Sequence, residues 1–364
     1  MPIRPTSRSL VALLTAIAVP AFAAPTEPAA NLFEQPALRS ELAPRSLMLS
    51  LARAGERLVA VGERGFILVS EDAGASWRQV DSPVSVTLTR VRFATPNEGW
   101  AVGHAGVILH SADGGLSWHL QLDGVRGAQL ALEAARAATG TDAQALRDDA
   151  QHLVDDGPDK PLLNLYFNDA RHGLAIGAYG LAFATGDGGA HWRYVGDRLA
   201  NPSALHLYDI AAVGDTLFIA GEQGLLLRSR DGGASFQALR SPAAGTLFGL
   251  AASGEHGLVA FGLRGKALRS DDLGETWQAL PTQQTATYTA GTQLHDGALL
   301  LADESGALHL SRDRGQHFEA LPTNAASYIT GVAELPDGQL ALSSPHGVLR
   351  VALQNPPRST GREQ

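Results

Sequence analysis

The stretch VAVGERGFILVSEDAGASW, Val59 to Trp77, decides the architecture because close variants of it recur along the chain. Each full copy is an apolar run, a turn closed by glycine, a second apolar run and the phrase S/T-x-D-x-G-x-x-W/F. The other copies end at Trp118, Trp192, Phe236, Trp277 and Phe318, and a truncated seventh runs from Leu340 to Val351. A fixed repeat of this kind is a stronger guide to the fold than any single motif.

The register of the repeats is tight. The glycines that close the turns are Gly65, Gly106, Gly180, Gly224, Gly265, Gly306 and Gly347. Their successive spacings are 41, 74, 44, 41, 41 and 41 residues, so one insertion of 33 residues accounts for the long interval. A period of about 40–45 residues is typical of a four-stranded propeller blade. The sequence therefore predicts an all-β fold, a seven-bladed β-propeller.

The phrase that ends each full copy predicts a turn that satisfies its own polar groups. Aspartate and serine side chains accept hydrogen bonds from nearby backbone amides, and glycine adopts positive φ without steric cost. We expect the aromatic residue to pack between neighbouring blades. The aspartates assigned this structural role are Asp72, Asp113, Asp187, Asp231, Asp272 and Asp313.

These turns resemble the Asp box, or bacterial neuraminidase repeat. The longer phrase VRFATPNEGWAVGHAGVILHSADGGLSW, Val91 to Trp118, is similar to the photosystem II stability/assembly factor family, and the similarity spans most of residues 45–353. The resemblance implies a seven-bladed propeller and an arginine-rich patch that holds a membrane-protein partner. The arginines that recur in strands or turns here are Arg92, Arg171, Arg193, Arg228, Arg264 and Arg269.

The first 23 residues have the features of a cleaved signal peptide. Arg4 and Arg8 precede an apolar run, Leu10 to Val19, and Ala21-Phe22-Ala23 fits the cleavage pattern. Residues 24–30 are interpreted as a linker and residues 354–364 as a disordered tail. The protein is therefore expected in the periplasm, or in the thylakoid lumen of a photosynthetic host. The sequence contains no cysteine, which excludes disulfides, thiolate chemistry and cysteine-ligated metals.

Two segments depart from the repeat. Residues 31–37, which include Phe33, resemble the ends of later copies, and we expect them to supply the outer strand that the seventh copy lacks. Residues 123–160, between blades 2 and 3, are rich in good helix formers and predict two short helices separated at Gly140. This insertion is either a lid or docking surface, or a neutral surface loop.

Charge and motif content exclude several classes of function. The formal net charge is −9 and becomes −11 without Arg4 and Arg8, which argues against binding to nucleic acids or anionic membranes. No metal-binding motif occurs among the scattered histidines, and no cofactor is expected. Sialidases, which share the Asp box, carry an R-I-P motif that is missing here, so the protein is predicted not to be an enzyme.

The turns between the second and third strands of the blades keep their glycine frame while the residues inside it vary. We expect these turns to ring the channel mouth on the face opposite the Asp boxes and to bind a protein partner; plain turn polarity is the alternative. The residues assigned to this site are Glu63, Arg64, His104, Tyr179, Glu222, Gln223, Arg264, Glu304 and His346.

The function that follows is that of an exported, monomeric, non-enzymatic assembly factor that docks a protein partner. By family analogy the protein is an accessory to an envelope membrane complex or to a transporter of the resistance-nodulation-division type. A sialidase-like glycoside hydrolase or carbohydrate-binding propeller is the alternative.

Overall fold

The computed structural model describes residues 33–281, 285–321 and 328–353. The predicted signal peptide (1–23), linker (24–30) and tail (354–364), together with residues 31 and 32, lie outside these ranges.

The described chain forms seven antiparallel sheets, each built from consecutive strands, which we number as blades 1 to 7. Blade 1 contains β1 (Met48–Ala54), β2 (Arg57–Gly62), β3 (Ile67–Ser70) and β4 (Arg78–Val80). Blade 2 contains β5 (Leu88–Phe93), β6 (Gly99–Gly103), β7 (Ile108–Ser111) and β8 (His119–Leu122). Blade 3 contains β9 (Leu162–Phe167), β10 (Gly173–Gly177), β11 (Ala182–Thr185) and β12 (Arg193–Tyr194).

Blade 4 contains β13 (Leu207–Val213), β14 (Thr216–Gly221), β15 (Leu226–Ser229) and β16 (Gln237–Ala238). Blade 5 contains β17 (Leu247–Ser253), β18 (Gly257–Gly262), β19 (Ala267–Ser270) and β20 (Gln278–Ala279). Blade 6 contains β21 (Tyr288–Gln293), β22 (Leu299–Asp303), β23 (Leu308–Ser311) and β24 (Glu319–Leu321), and blade 7 contains β25 (Gly331–Glu334), β26 (Leu340–Ser344) and β27 (Gly347–Val351).

Apolar layers between adjacent blades make up the core. One layer joins Val59 and Ile67 of blade 1 to Val91 of blade 2, and equivalent layers join each later pair. A seventh layer joins Leu51 of blade 1 to Leu335 of blade 7, so the first and last blades pack against each other. The second strands are buried along nearly their whole length because both of their faces meet a neighbouring blade. The predicted seven-bladed propeller is confirmed.

The aromatic residue of each Asp box packs on the preceding blade, as the sequence predicts. Trp118 of blade 2 lies in the layer shared with blade 1, and Trp192 of blade 3 lies in the layer shared with blade 2. Trp77 of blade 1 packs on the layer that contains Leu335 and Ala341 of blade 7. The repeat therefore encodes the contacts between blades as well as the blades themselves.

The predicted closing strand is wrong for its described part, Phe33 to Ala37. These residues form no strand, and blade 7 has three strands within the described ranges. Phe33 instead packs on the layer between blades 1 and 2, and the Ala37 amide donates to the Ser82 carbonyl just after β4. The outer strands of this propeller are only two to four residues long, so similarity to one of them carries little information about pairing.

The insertion between blades 2 and 3 forms two helices, as predicted. Helix α1 spans Gly124–Ala137 and helix α2 spans Ala143–Asp156. The Asp123 side chain accepts from the Arg126 amide at 2.8 Å and so caps the start of α1. The helices pair through small residues, Ala131, Ala135 and Ala150 among them, and Tyr194 of blade 3 packs on this cluster.

Candidate functional site

The turns between second and third strands share one left-handed position. In five blades the second residue of the turn has φ between 54° and 56°: Arg64, Ala105, Tyr179, Gln223 and Arg264. Such φ values are uncommon outside glycine. Because alanine and arginine occupy the same position, the conformation belongs to the turn and is no sign of a reactive site. Arg64, Gln223 and Arg264 are exposed there.

These turns lie beside the connections that lead from one blade to the next. A Cβ added to Gly65 would lie 2.0 Å from the Val84 carbonyl oxygen, and one added to Gly224 would lie 2.3 Å from the Ala243 carbonyl oxygen. The connections and the turns therefore form one surface, which we call the turn face. The Asp boxes lie at the other ends of the third strands, so they belong to the opposite face.

Three of the predicted partner-binding carboxylates also anchor the backbone of their own blade. Glu63 Oε1 accepts from the Leu47 amide at 3.1 Å, and Glu222 Oε2 accepts from the His206 amide at 2.9 Å. Glu304 Oε1 accepts from the Thr287 amide at 2.9 Å. Each glutamate thus fixes the start of an inner strand.

A chain of rings crosses the turn face from blade 3 to blade 5. Tyr179, which is 55% exposed, lies 4.7 Å from the His206 ring, and the Lys160 ammonium lies 5.5 Å from the centre of the Tyr179 ring. The ring of Tyr208 is 6.3 Å from His206 and meets Phe248 edge to face at 5.1 Å. Aromatic side chains on rigid strands supply contact area at low entropic cost, which favours recognition.

The turn face contains a pocket of about 390 Å³, which we call the mouth pocket. Residues from the inner strands and from the turns of blades 3 to 7 line it. They are Leu163, Tyr208, Phe248, Leu263, Thr287, Thr289, Glu304 and Tyr328. Burial and the nearby Glu304 carboxylate raise the pKa of the Tyr328 hydroxyl, and burial and Glu222 raise that of Tyr208. The pocket is therefore lined mainly by aromatic and aliphatic side chains, with Glu304 as the charged side chain among them.

The mouth pocket depends on a bulge that repeats in the inner strands. In blades 1 to 6 the second residue of the inner strand falls outside the pairing register; these residues are Leu49, Thr89, Leu163, Tyr208, Phe248 and Thr289. Threonine at this position bonds to the next blade: Thr89 Oγ1 donates to the Leu162 carbonyl at 2.7 Å. Blades 3, 4 and 5 have leucine, tyrosine and phenylalanine instead, which give up that bond and present apolar surface.

Sequence reasoning missed these bulge residues. A signal for them exists, because three consecutive repeats place a large apolar side chain directly after the buried leucine of the inner strand, in PLLNL, HLYDI and TLFGL. Of the predicted residues, Glu304 lines the mouth pocket, and Tyr179 belongs to the chain of rings together with Glu222 beside His206. His104, Gln223 and His346 are exposed on other turns.

A polar cluster joins the inner strands of four blades. Asp209 is 6% exposed, accepts from Asn164 Nδ2 at 2.5 Å and from the Leu250 amide at 2.8 Å, and lies 3.5 Å from Arg90. Arg92 donates to a main-chain carbonyl of blade 4, and burial lowers its pKa. Asp209 thus ties together the inner strands of blades 2 to 5, and two guanidinium groups, Arg90 and Arg92, lie near its one carboxylate.

The six arginines noted in the sequence do not form one patch. Arg92 lies on an inner strand, Arg228 pairs with Glu275 and Arg269 pairs with Asp271. Arg171 follows an inner strand on the Asp-box face, Arg193 lies on the outer strand β12, and Arg264 lies on the turn face. The implied arginine-rich surface is therefore not assembled from these residues.

The Asp-box carboxylates are engaged inside their turns. Asp72 accepts from Ser70 Oγ at 2.7 Å and from the Ser76 amide at 2.9 Å, and Ser70 Oγ also accepts from the Gly74 amide. The Ser76 hydroxyl bond, followed by the other donors, lowers the Asp72 pKa to about 2. Equivalent bonds form at Asp113, Asp187, Asp231, Asp272 and Asp313. A carboxylate held ionised in this way is a poor general acid.

In the described ranges, no cluster of three or more histidine, aspartate or glutamate side chains could hold a metal ion. Neither described helix is long and apolar enough to span a membrane. The buried pair His309–Asp303, 2.8 Å apart, shapes the irregular turn of blade 6, where Asp303 also accepts from the Ser305 amide.

Comparison with known proteins identifies relatives of this chain. Residues 45–138 and 143–318, together most of the chain, match the family model described as photosynthesis system II assembly factor YCF48. Over 77 residues the chain is 36% identical to the photosystem II assembly lipoprotein Ycf48 of Synechococcus sp. (strain CC9902). That match spans 21% of this chain and 23% of the relative. The relative is named a lipoprotein, whereas the present sequence contains no cysteine.

Solved structures share the fold. A structure described as YCF48 bound to D1 peptide has a TM-score of 0.63 at 18% identity, over 87% of this chain and 96% of that chain. YCF48 from Cyanidioschyzon merolae has a TM-score of 0.61 at 13% identity, over 86% and 97%. The WD40 β-propeller domain of Doa1 scores 0.61 at 12% identity, over 88% and 97%. The fold is thus shared widely, but the family model is specific, and the chain belongs to the YCF48 family of photosystem II assembly factors.

Proposed function

We propose that this protein is an exported, non-enzymatic assembly factor that binds a segment of a membrane-protein partner on its turn face. The observation that carries the proposal is the mouth pocket with its aromatic approach from Tyr179 to Phe248, because large apolar side chains are held there on rigid strands and remain accessible. Apolar surface of this kind with a polar rim is typical of protein recognition. Membership in an assembly-factor family supports the same conclusion.

The partner is a protein of the envelope under assembly, with a resistance-nodulation-division transporter as one candidate and a photosystem as the candidate in a photosynthetic host. A solved YCF48 structure is described as bound to a D1 peptide, which makes a peptide segment the natural ligand class. The signal peptide predicted for residues 1–23 supports export to the periplasm or lumen. The net charge of −9 favours a protein over nucleic acid.

The test is capture of membrane proteins from native detergent-solubilised envelopes by the tagged protein, identified by mass spectrometry. The test variant carries alanine at three turn-face positions, Arg64, Tyr179 and Arg264. The control variant carries alanine at three exposed positions of the opposite face, Arg171, His256 and Arg314. We expect a specific membrane protein to be lost by the turn-face variant and retained by the control.

Two outcomes would overturn the proposal. Loss of capture by the control variant alone would move the site to the Asp-box face. Turnover of aryl glycosides by the wild type, abolished by Glu222→Gln or Glu304→Gln, would establish a glycosidase instead.

A further inference from the structure

The walls of the mouth pocket are suited to a cation. Tyr208 and Phe248 meet at an interplanar angle of 74°, so two ring surfaces bound the pocket at nearly right angles. Tyr328, 43% exposed, lines the same pocket. The face of an aromatic ring attracts an ammonium or guanidinium group, and cages of such rings recognise organic cations.

The charge in the pocket has the sign that such a cation requires. Glu304 is the charged side chain among the lining residues, and its Oε1 is fixed by the Thr287 amide. Among the ion pairs formed by residues in the described ranges, none includes Glu304. In blade 5, Lys266 donates to the Ala244 carbonyl, and Arg264 is exposed on its turn.

The same face already contains one contact of this type. The Lys160 ammonium lies over the Tyr179 ring, 5.5 Å from its centre, at the other end of the chain of rings. There Lys160 also pairs with Asp156 and Asp159, so a cation, a ring and carboxylates occur together. The mouth pocket likewise combines aromatic rings with a carboxylate, and there the cation would come from a ligand.

We propose that the mouth pocket binds an arginine or lysine side chain of a peptide segment, with Tyr208, Phe248 and Tyr328 around the cation and Glu304 as its counter-ion. This inference rests on the proposed function, since it names the chemistry by which the turn face recognises its partner. The aliphatic stem of the bound side chain packs on Leu163 and Leu263, which line the pocket as well.

The test uses four capped peptides, acetyl-Ala-Leu-Xaa-Leu-Ala-amide, in which Xaa is arginine, citrulline, norleucine or glutamate. Binding to the purified full chain is measured by calorimetry and ligand-observed NMR. Citrulline has nearly the shape of arginine without its charge. We expect the arginine peptide to bind about tenfold tighter than the citrulline peptide and to weaken as salt is added.

Variants locate the effect. Glu304→Gln keeps an acceptor for the Thr287 amide and removes the charge, so the arginine peptide should lose about tenfold in affinity while the citrulline peptide is unchanged. Glu334→Gln is the matched control, because Glu334 also accepts from a backbone amide, that of His295, and does not line the pocket. Tyr208→Leu keeps apolar volume and should weaken the arginine peptide by removing one ring.

Three results would overturn the inference: equal or tighter binding of the norleucine peptide, an unchanged affinity in Glu304→Gln, or preferred binding of the glutamate peptide that Arg264→Gln abolishes. The outcome is separable from that of the proposed function. Suppose that the turn-face alanine variant loses capture of a membrane partner but Glu304→Gln retains it. That result would support the proposed function and refute the cation pocket.

Discussion

Replacement of Thr330 by valine tests whether the ring is closed between blades 7 and 1 in solution. Thr330 Oγ1 donates to the Met48 carbonyl of blade 1 at 2.6 Å and lies 2.9 Å from Ser343 Oγ. Valine has nearly the same shape, so packing is kept while the bond across the junction is lost. Since Met48 is fully buried, its carbonyl loses this donor in a place that water does not reach.

The expected cost is about 1–2 kcal/mol, from the net value of one hydrogen bond and the partial desolvation of its acceptor. Urea denaturation followed by circular dichroism should show a lower midpoint at unchanged slope. Thr89→Val and Thr289→Val are matched controls, because their hydroxyls make the same contact at other junctions, with the Leu162 carbonyl at 2.7 Å and the Ile329 carbonyl at 2.6 Å.

The comparison of the three variants decides the question. Similar losses in all three would show that the junction of blades 7 and 1 is as tightly made as the internal junctions. An unchanged midpoint for Thr330→Val, alongside losses in both controls, would refute closure by this contact and reopen the question of what holds the last blade.

Three further predictions follow from the same structure. Trp118→Ala, which empties part of the layer between blades 1 and 2, should cost about 3–5 kcal/mol in urea unfolding, with an unaltered midpoint as the contrary result. The hydrogen bond from the Ser235 hydroxyl is the main cause that lowers the Asp231 pKa to about 2, so the stability that Asp231 provides is present above the unfolded pKa near 3.8 and is lost as pH falls towards 2. Acid titration should therefore show a smaller loss of folding stability in Asp231→Asn than in the wild type, and equal losses would contradict this. Gly62→Ala places a Cβ 1.9 Å from the Leu47 carbonyl oxygen and should lower the soluble, folded yield and the thermal midpoint, whereas a wild-type melting curve would show that the turn can relax.

Several candidate-site features could be predicted from the repeat, because they follow from chain order. The turns between second and third strands share a face with the connections between blades, and their exposed residues, Arg64 and Gln223 for example, lie where the register places them. The pattern could not reveal that Glu63, Glu222 and Glu304 bond to backbone amides about 16 residues away. Such a contact depends on the approach of two strands and not on the composition of the turn.

The sequence by itself determined the number of blades, the Asp-box turns and the place of the helical insertion. These features depend on interactions between residues a few positions apart, such as the hydrogen bonds among Ser70, Asp72 and Gly74. They depend also on the regular spacing of the repeats, which corresponds to the length of one blade. Local hydrogen bonds and regular apolar spacing can be predicted directly from the order of residues.

Only the tertiary structure decided where Phe33 packs and how the mouth pocket is assembled. The pocket combines Leu163, Tyr208, Phe248 and Tyr328, which come from separate repeats and meet because the blades curve into a ring. Bulges turn the first three of these residues to the mouth. Phe33 packs between blades 1 and 2 because the apolar layer there has room for its ring. This contact depends on the shape of the layer in three dimensions, and no periodic pattern in the sequence indicates it.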